Sequence, residues 1–280
     1  MPQKTVLITG CSAGGLGSHL AEAFHARGFH VFATLRNTAK AGALARMDGI
    51  DILELEVTSA ESIQSCVKAV EKITGGLLDV LVNNAGADHT LPLLDTPIDE
   101  AKALYDLNVW APLAMMQAFA PMVIKAQGAI CNISSVSAVC NFAWAGTYAS
   151  SKAAVTVLSE TMRLELQPFG VRVVTVMLGG CATNVHAGMP DLVLPPDSRY
   201  HKIWETIDRQ KKGLIYHNRQ DPRVAAKSIV ADIVGGRRSY VWRGTASTLC
   251  WFSTTFLPNS VFVDMANKDK GLDVLARENK

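Results

Sequence analysis

The chain has no Cys-x-x-Cys pair. Its six cysteines, Cys11, Cys66, Cys131, Cys140, Cys181 and Cys250, are scattered, a spacing that suits neither a disulfide framework nor a zinc site. A reducing, cytoplasmic setting is therefore expected. Basic runs are also missing: none is longer than Arg237-Arg238, and 27 basic against 25 acidic side chains leave a net charge of +2. Such a balance offers no electrostatic footprint for nucleic acid. Met1-Pro2-Gln3-Lys4 runs straight into an aliphatic segment, so no signal peptide is expected. No internal linker and no low-complexity tract interrupt the 280 residues. We read residues 1–280 as one domain, long enough for a large core.

What is present is alternation. Lys4–Thr9, His30–Leu35, Asp51–Glu56, Asp79–Asn83, Ala129–Ser134 and Val171–Met177 are short β-branched or aliphatic runs. Between them lie Gly15–Gly28, Ala60–Ile73, Pro97–Ala126 and Thr147–Gln167, with apolar residues at helical spacing. Strands alternating with helices call for parallel pairing and right-handed crossovers. The expected fold is an α/β, Rossmann-type doubly wound parallel sheet of about seven strands with helices on both faces. Asn184–Gln220 breaks the rhythm after the sixth strand, where open α/β sheets bind ligands, and is read as a substrate-covering segment.

Thr9-Gly10-Cys11-Ser12-Ala13-Gly14-Gly15-Leu16-Gly17 stands where the first strand hands over to a helix. Glycines there let the backbone turn and approach a pyrophosphate, and the helix N-terminus supplies free N–H groups. The second strand ends Ala33-Thr34-Leu35-Arg36-Asn37 and lacks the acid that would take a ribose 2′-hydroxyl. Arg36 can pair with a 2′-phosphate instead, which favours NADP(H) over NAD(H).

Tyr148-Ala149-Ser150-Ser151-Lys152 puts a phenol and an ammonium one helical turn apart. The cation favours the phenolate, so the phenol can exchange a proton with a substrate oxygen. Ser135, just past the fifth strand, can hydrogen-bond the same oxygen. By themselves these residues could equally form an ordinary helix face.

Together they carry a resemblance. The chain resembles the short-chain dehydrogenase/reductase family over nearly its whole length. The match rests on the Thr9–Gly17 loop, Asn83-Asn84-Ala85-Gly86, Asn108, Ser135 and the Tyr148/Lys152 pair, with Ser135 thirteen residues before Tyr148 as in the family. The resemblance implies Tyr148 as general acid/base, with Ser135 orienting a carbonyl. Lys152 would hold the nicotinamide ribose and tune Tyr148, and Asn108 would hold a water in the proton relay. It also implies NADPH bound along Gly10, Ser12, Gly15, Leu16, Arg36, Glu56, Val57, Asn84, Gly86, Tyr148, Lys152 and Thr183. No metal is implied. Two departures stand out. The glycine loop is one residue longer than usual if Gly15 and Gly17 are its later pair, and Gly14 offers an alternative register. The family's frequent Pro-Gly after the sixth strand is replaced by Leu178-Gly179-Gly180. Within the family, the TGCSAGGLG loop, the HVFATLRN strand and an aromatic C-terminal tail are similar to fungal NADPH-dependent acyl-dihydroxyacetone-phosphate reductase-like enzymes, a group that includes lipid-precursor and secondary-metabolite reductases.

The expected reaction is NADPH-dependent reduction of a medium-sized apolar, lipid-like or secondary-metabolite ketone. Oxidation of the alcohol and cyclase or isomerase chemistry are the alternatives, along with a non-enzymatic cofactor-sensing module. The intact Tyr148, Lys152, Ser135 and Asn108 argue for redox chemistry. Phe142, Trp144, His186, Met189, Trp204 and Tyr216 are pocket candidates. The tail, residues 240–280, holds Trp242, Leu249, Trp251, Phe252, Phe256, Leu257, Phe262 and Val263 before Asn267–Lys280, which reads as a solvated end. The apolar stretch there is too short to span a membrane. Three readings stay open for it: a cleft wall, an oligomer interface, or peripheral contact with a membrane or lipid droplet. The resemblance implies a homodimer or homotetramer through Pro97–Ala126 and Thr147–Gln167, whose apolar face includes Leu104, Leu107 and Leu113.

Overall fold

The computed structural model describes residues 3–187, 189–215 and 218–278, without the side chains of 259–262 and 278. Tyr216 and the Phe262 side chain thus lie outside the described residues. The elements run β1 (Thr5–Thr9), α1 (Leu16–His25), β2 (His30–Leu35), β3 (Ile50–Glu54), α2 (Ala60–Thr74) and β4 (Val80–Asn83). They continue with α3 (Ile98–Tyr105), α4 (Ala111–Lys125), β5 (Ala129–Ile133), α5 (Gly146–Leu166) and β6 (Arg172–Leu178). The chain then passes through α6 (Trp204–Lys211), α7 (Pro222–Val234), β7 (Ser239–Arg243), α8 (Ser247–Phe256), α9 (Asn259–Asn267) and α10 (Leu272–Glu278).

The seven strands form one sheet in the order β3-β2-β1-β4-β5-β6-β7. Every neighbouring pair is parallel. The strand order reverses between β1 and β4, which opens a crevice at their carboxyl ends. Side-chain alternation splits the core into two layers. Val6, Ile8, Val31, Ala33, Val80, Val82, Cys131 and Val174 pack with α1 and α7. Leu7, Phe32, Leu81, Ile130 and Val173 pack on the other face with α2 and α4. Both faces are covered, so the strands read as continuous apolar runs.

The helix starts differ in a way that matters. At α2, Ser59 accepts a hydrogen bond from Ser62 N–H, and Gly75 closes the C-terminus at φ 65°. At α1 the N-cap is Gly15, with no side-chain cap, so the first-turn N–H groups are left for a ligand. The expected helix over Pro97–Ala126 is realised as α3 and α4 joined by a π turn at Asp106–Trp110. Ile98–Lys125 is long and apolar enough to cross a membrane by length and composition. Here Met115, Met116, Phe119 and Val123 bury one of its faces against the sheet.

The tail departs from expectation. Its first residues form the seventh strand, since Tyr240, Val241 and Trp242 pair with Thr175, Val176 and Met177 of β6. Asn267–Lys280 is not simply a solvated end: Asn267 and Lys270 are buried. Asn267 Oδ1 accepts from Ala143 N–H at 2.7 Å, and its Nδ2 donates to Asn141 O at 2.8 Å. The charged composition of this stretch concealed two residues that bolt it to the loop before α5. Leu104, Leu107 and Leu113 also face inward. The large apolar residues left exposed along Ile98–Lys125 and Gly146–Leu166 are Ile98, Trp110, Val157 and Leu164.

Candidate active site

A cavity of about 1000 Å³ follows the carboxyl ends of the strands. Of the residues nominated from sequence, Gly10, Ser12, Gly15, Leu16, Arg36, Glu56, Val57, Asn84, Gly86, Ser135, Tyr148, Lys152 and Thr183 all line it. Asn108 is not on the wall.

The glycine loop resolves into the longer register. Gly10 and Gly14 sit at φ +75°, a conformation that L side chains avoid. Gly15 caps α1. Gly17 packs so closely on Gly10 O and Asn84 Nδ2 that a Cβ would collide with both, so helix and loop touch only because this residue is glycine. Asn84 joins the two loops at the switch point: its Nδ2 donates to Thr9 O at 2.8 Å and to Gly10 O at 3.2 Å. Thr9 Oγ1 accepts from Asn84 N–H and Ala85 N–H, each at 2.9 Å. Backbone that approaches this tightly, ahead of an uncapped helix N-terminus, has the shape and polarity of a pyrophosphate cradle.

Arg36, Asn37 and Lys40 line the cavity at its outer end. The Arg36 guanidinium is 77% exposed and reaches Glu56 only at 3.7 Å, a contact worth little by itself. Glu56 is also engaged locally, with Oε1 accepting from Thr58 Oγ1 at 2.9 Å. Two cations and no nearby second-strand acid suit a 2′-phosphate. These groups therefore fit a dinucleotide phosphate.

The residues nominated for chemistry lie at the inner end. α5 is fixed against the sheet by a buried polar chain. Asn83 Nδ2 donates to Asn132 Oδ1 at 2.8 Å, and Asn132 Nδ2 to Ser159 Oγ at 2.9 Å. Ser159 then meets Thr175 Oγ1 at 2.7 Å. Ser134, at the end of β5, ties that strand to α5 through Thr156, their hydroxyl oxygens 2.5 Å apart. Held this way, α5 places Tyr148 and Lys152 on one face, with Lys152 Nζ 5.9 Å from the Tyr148 ring centre. Lys152 Nζ donates to Ile133 O at 3.0 Å. Burial pulls its pKa down to about 8, and the Asp88 carboxylate works the other way. Ser135 Oγ accepts from Ser137 N–H at 3.1 Å, so its own proton can be donated into the cavity.

Asn108 stands behind Gly86, where a Cβ on that glycine would lie 3.0 Å from Asn108 Oδ1. Its Oδ1 accepts from Ala87 N–H at 3.0 Å; its Nδ2 donates to Ala87 O at 2.9 Å and Ser151 Oγ at 3.1 Å. The side chain is thus committed to positioning the Gly86–Ala87 loop on α5. It sits in the π turn, where the regular helical pairing is locally broken.

Among the pocket candidates, Phe142 and His186 line the cavity. His186 Nδ1 lies 3.6 Å from Asp88 Oδ2, which brings the covering segment onto the loop after Gly86. Trp144 and Trp204 belong to a neighbouring apolar cluster with Leu91 and Ile207, and Met189 is off the wall. The tail aromatics Trp251, Phe252 and Phe256 are exposed on α8; the cleft-wall role falls instead to Ala246, Cys250, Ala266 and Lys270. Lys40, Asp88, Ile215, Arg219 and Lys270 also reach the cavity without having been singled out. None lies in a motif, and only the fold brings them there. Among the described residues no three His, Cys, Asp or Glu side chains cluster closely enough to hold a metal.

Residues 4–191 match the family model described as short chain dehydrogenase. The chain belongs to the short-chain dehydrogenase family and is an oxidoreductase. It is 56% identical over 272 residues to the short-chain dehydrogenase cctT of Talaromyces islandicus, covering 96% of each chain. It is 38% identical over 209 residues to an NADPH-dependent 1-acyldihydroxyacetone phosphate reductase of Schizosaccharomyces pombe, covering 73% of this chain and 70% of the relative. Among solved structures, a short-chain dehydrogenase from Streptomyces avermitilis superposes with a TM-score of 0.79 at 27% identity, covering 99% of this chain and 98% of the other.

Proposed function

We propose that the protein reduces a ketone to an alcohol with NADPH. The observation that carries this reading is the meeting, in one cavity, of the Gly10–Gly17 cradle, the Arg36/Lys40 end and the Ser135/Tyr148/Lys152 group. The reductase named in Schizosaccharomyces pombe as NADPH-dependent supports the choice of cofactor. Bound nicotinamide supplies the hydride. Ser135 donates a hydrogen bond to the carbonyl oxygen and aligns the ketone. Tyr148 gives that oxygen a proton as negative charge develops on it, and the Lys152 ammonium stabilises the phenolate left behind. Asn108 keeps the Gly86–Ala87 loop seated, so the cofactor wall holds its shape. The covering segment, through His186 and Ile215, closes the substrate end.

Tyr148→Phe is expected to lower kcat at least a hundredfold while NADPH affinity stays within about twofold, since the hydroxyl acts in the transition state. Steady-state NADPH consumption with a panel of ketones, together with a fluorescence titration, measures both. Wild-type turnover by the variant would overturn the mechanism. We further read the exposed Trp110, Val157 and Leu164 as a homodimer face. The exposed α8 aromatics are the surface on which any membrane contact would depend.

A further inference from the structure

Another concavity, of about 260 Å³, lies at the edge of the sheet opposite the cofactor crevice. It forms where the chain leaves α5, turns through Gly170 at φ 76° and enters β6 at Arg172. β7 begins beside it at Ser239. The carboxyl end of β6 is six residues further on, about 20 Å away at the rise of a strand. The two cavities share no lining residue.

The wall holds the guanidiniums of Arg163, Arg172 and Arg238 and the amide of Gln167. Among the described residues only Glu160 forms an ion pair with any of the three, its Oε2 lying 2.8 Å from Arg163 Nε. That carboxylate is shared: Oε1 accepts from Thr175 Oγ1 at 2.7 Å and Oε2 from Ser239 Oγ at 2.9 Å. Arg172 Nη1 donates to Ile233 O at 3.0 Å and Arg237 O at 3.2 Å, both neutral acceptors just beyond or within the end of α7. Three guanidiniums against one carboxylate leave two positive charges uncompensated. Burial, and then the Arg238 charge, lower the Arg172 pKa, as expected of like charges with no carboxylate between them. Donors are left over as well. A guanidinium carries five N–H groups; Arg163 commits its Nε and Arg172 its Nη1. The backbone at the mouth is fixed, because Ser239, the residue after Arg238, sits at φ 65°. A serine keeps that left-handed conformation only under constraint, here its bond to Glu160.

We propose that this cavity is an anion site that takes a phosphate group, either the inorganic ion or the end of a small phosphate monoester. Planar guanidiniums match pairs of phosphate oxygens. A volume of about 260 Å³ holds a phosphate with a short substituent and falls below the roughly 300–1,000 Å³ of pockets for larger ligands. A bound dianion cancels the two spare charges and relieves the repulsion between Arg172 and Arg238. The site is independent of the proposed reaction, since its ligand is neither the dinucleotide nor the ketone.

The test is calorimetric titration of the full chain, at constant ionic strength, with inorganic phosphate, glycerol 3-phosphate and acetate. It is run on the wild-type protein, on Arg238→Gln and, because the Arg36 end of the other cavity also suits phosphate, on Arg36→Asp. The wild-type protein and Arg36→Asp are expected to bind phosphate equally, and at least tenfold more tightly than acetate. Arg238 is exposed, so its replacement leaves the fold intact, and Arg238→Gln is expected to bind phosphate on the order of tenfold more weakly. Tighter binding of glycerol 3-phosphate than of phosphate identifies an ester as the ligand, and equal or weaker binding identifies the free ion. Phosphate binding no tighter than that of acetate overturns the proposal, as does an affinity unchanged in Arg238→Gln. An affinity lost in Arg36→Asp instead assigns the phosphate to the cofactor cavity and also overturns it.

Discussion

Lys152 shows at the scale of one residue how function is set against stability. Its pKa falls from 10.5 to about 8 because the ammonium is buried, and that drop corresponds to roughly 3 kcal/mol of destabilisation at neutral pH. The unfolded chain holds this proton more tightly than the folded one. The full penalty is therefore present below pH 8 and fades as pH rises toward 10.5. Lys152→Met, which also loses the bond to Ile133 O, should stabilise the cofactor-free protein by about 2 kcal/mol at pH 7. That advantage should shrink by pH 10, and turnover should be lost. Urea denaturation at the two pH values measures it, and a destabilised variant at pH 7 would contradict the account. The Tyr148/Lys152 pair was legible in the sequence because both residues lie on one helix, where spacing dictates proximity. Lys270 was not, since it approaches the cavity only through a tail whose composition reads as solvated.

Among the elements, α5 carries Tyr148 and Lys152, the residues proposed for the chemistry, and β5 fixes its position. The link runs through Asn132, which accepts from Asn83 and donates to Ser159. Asn132→Ala would leave both partners buried without it and open a small void. A loss of roughly 3 kcal/mol is expected, together with a fall in kcat larger than the rise in KM, because the Tyr148 hydroxyl would lose its alignment. Denaturation midpoints and steady-state kinetics test the two parts, and a destabilisation below about 0.5 kcal/mol would show that the chain of amides is dispensable. The strands themselves were readable from their aliphatic runs, with ends shifted by one or two residues. Two other features were hidden. The π turn at Asp106–Trp110 leaves the apolar spacing of a long helix unchanged. The seventh strand lies in a segment whose Trp and Tyr residues read as an aromatic tail rather than as a sheet edge.

Across the whole molecule, the parallel sheet gathers residues from both ends of the chain at one crevice, from Gly10 to Lys270. Its outer helical faces leave Trp110, Val157 and Leu164 exposed. If these form the homodimer face, Val157→Glu should move the protein from dimer to monomer in sedimentation velocity at micromolar concentration. A wild-type protein that sediments as a monomer would refute that assignment. In the proposed reading cofactor choice is also set at this scale, because Arg36 and Lys40 follow β2 while Tyr148 and Lys152 lie on α5. The one measurement that bears most directly on the account is a fluorescence titration of the wild-type chain with NADPH and with NADH, repeated on Arg36→Asp. The account predicts NADPH binding at least tenfold tighter than NADH, with the preference lost or reversed in the variant. Equal binding of the two cofactors by the wild-type protein, or binding of neither, would contradict it.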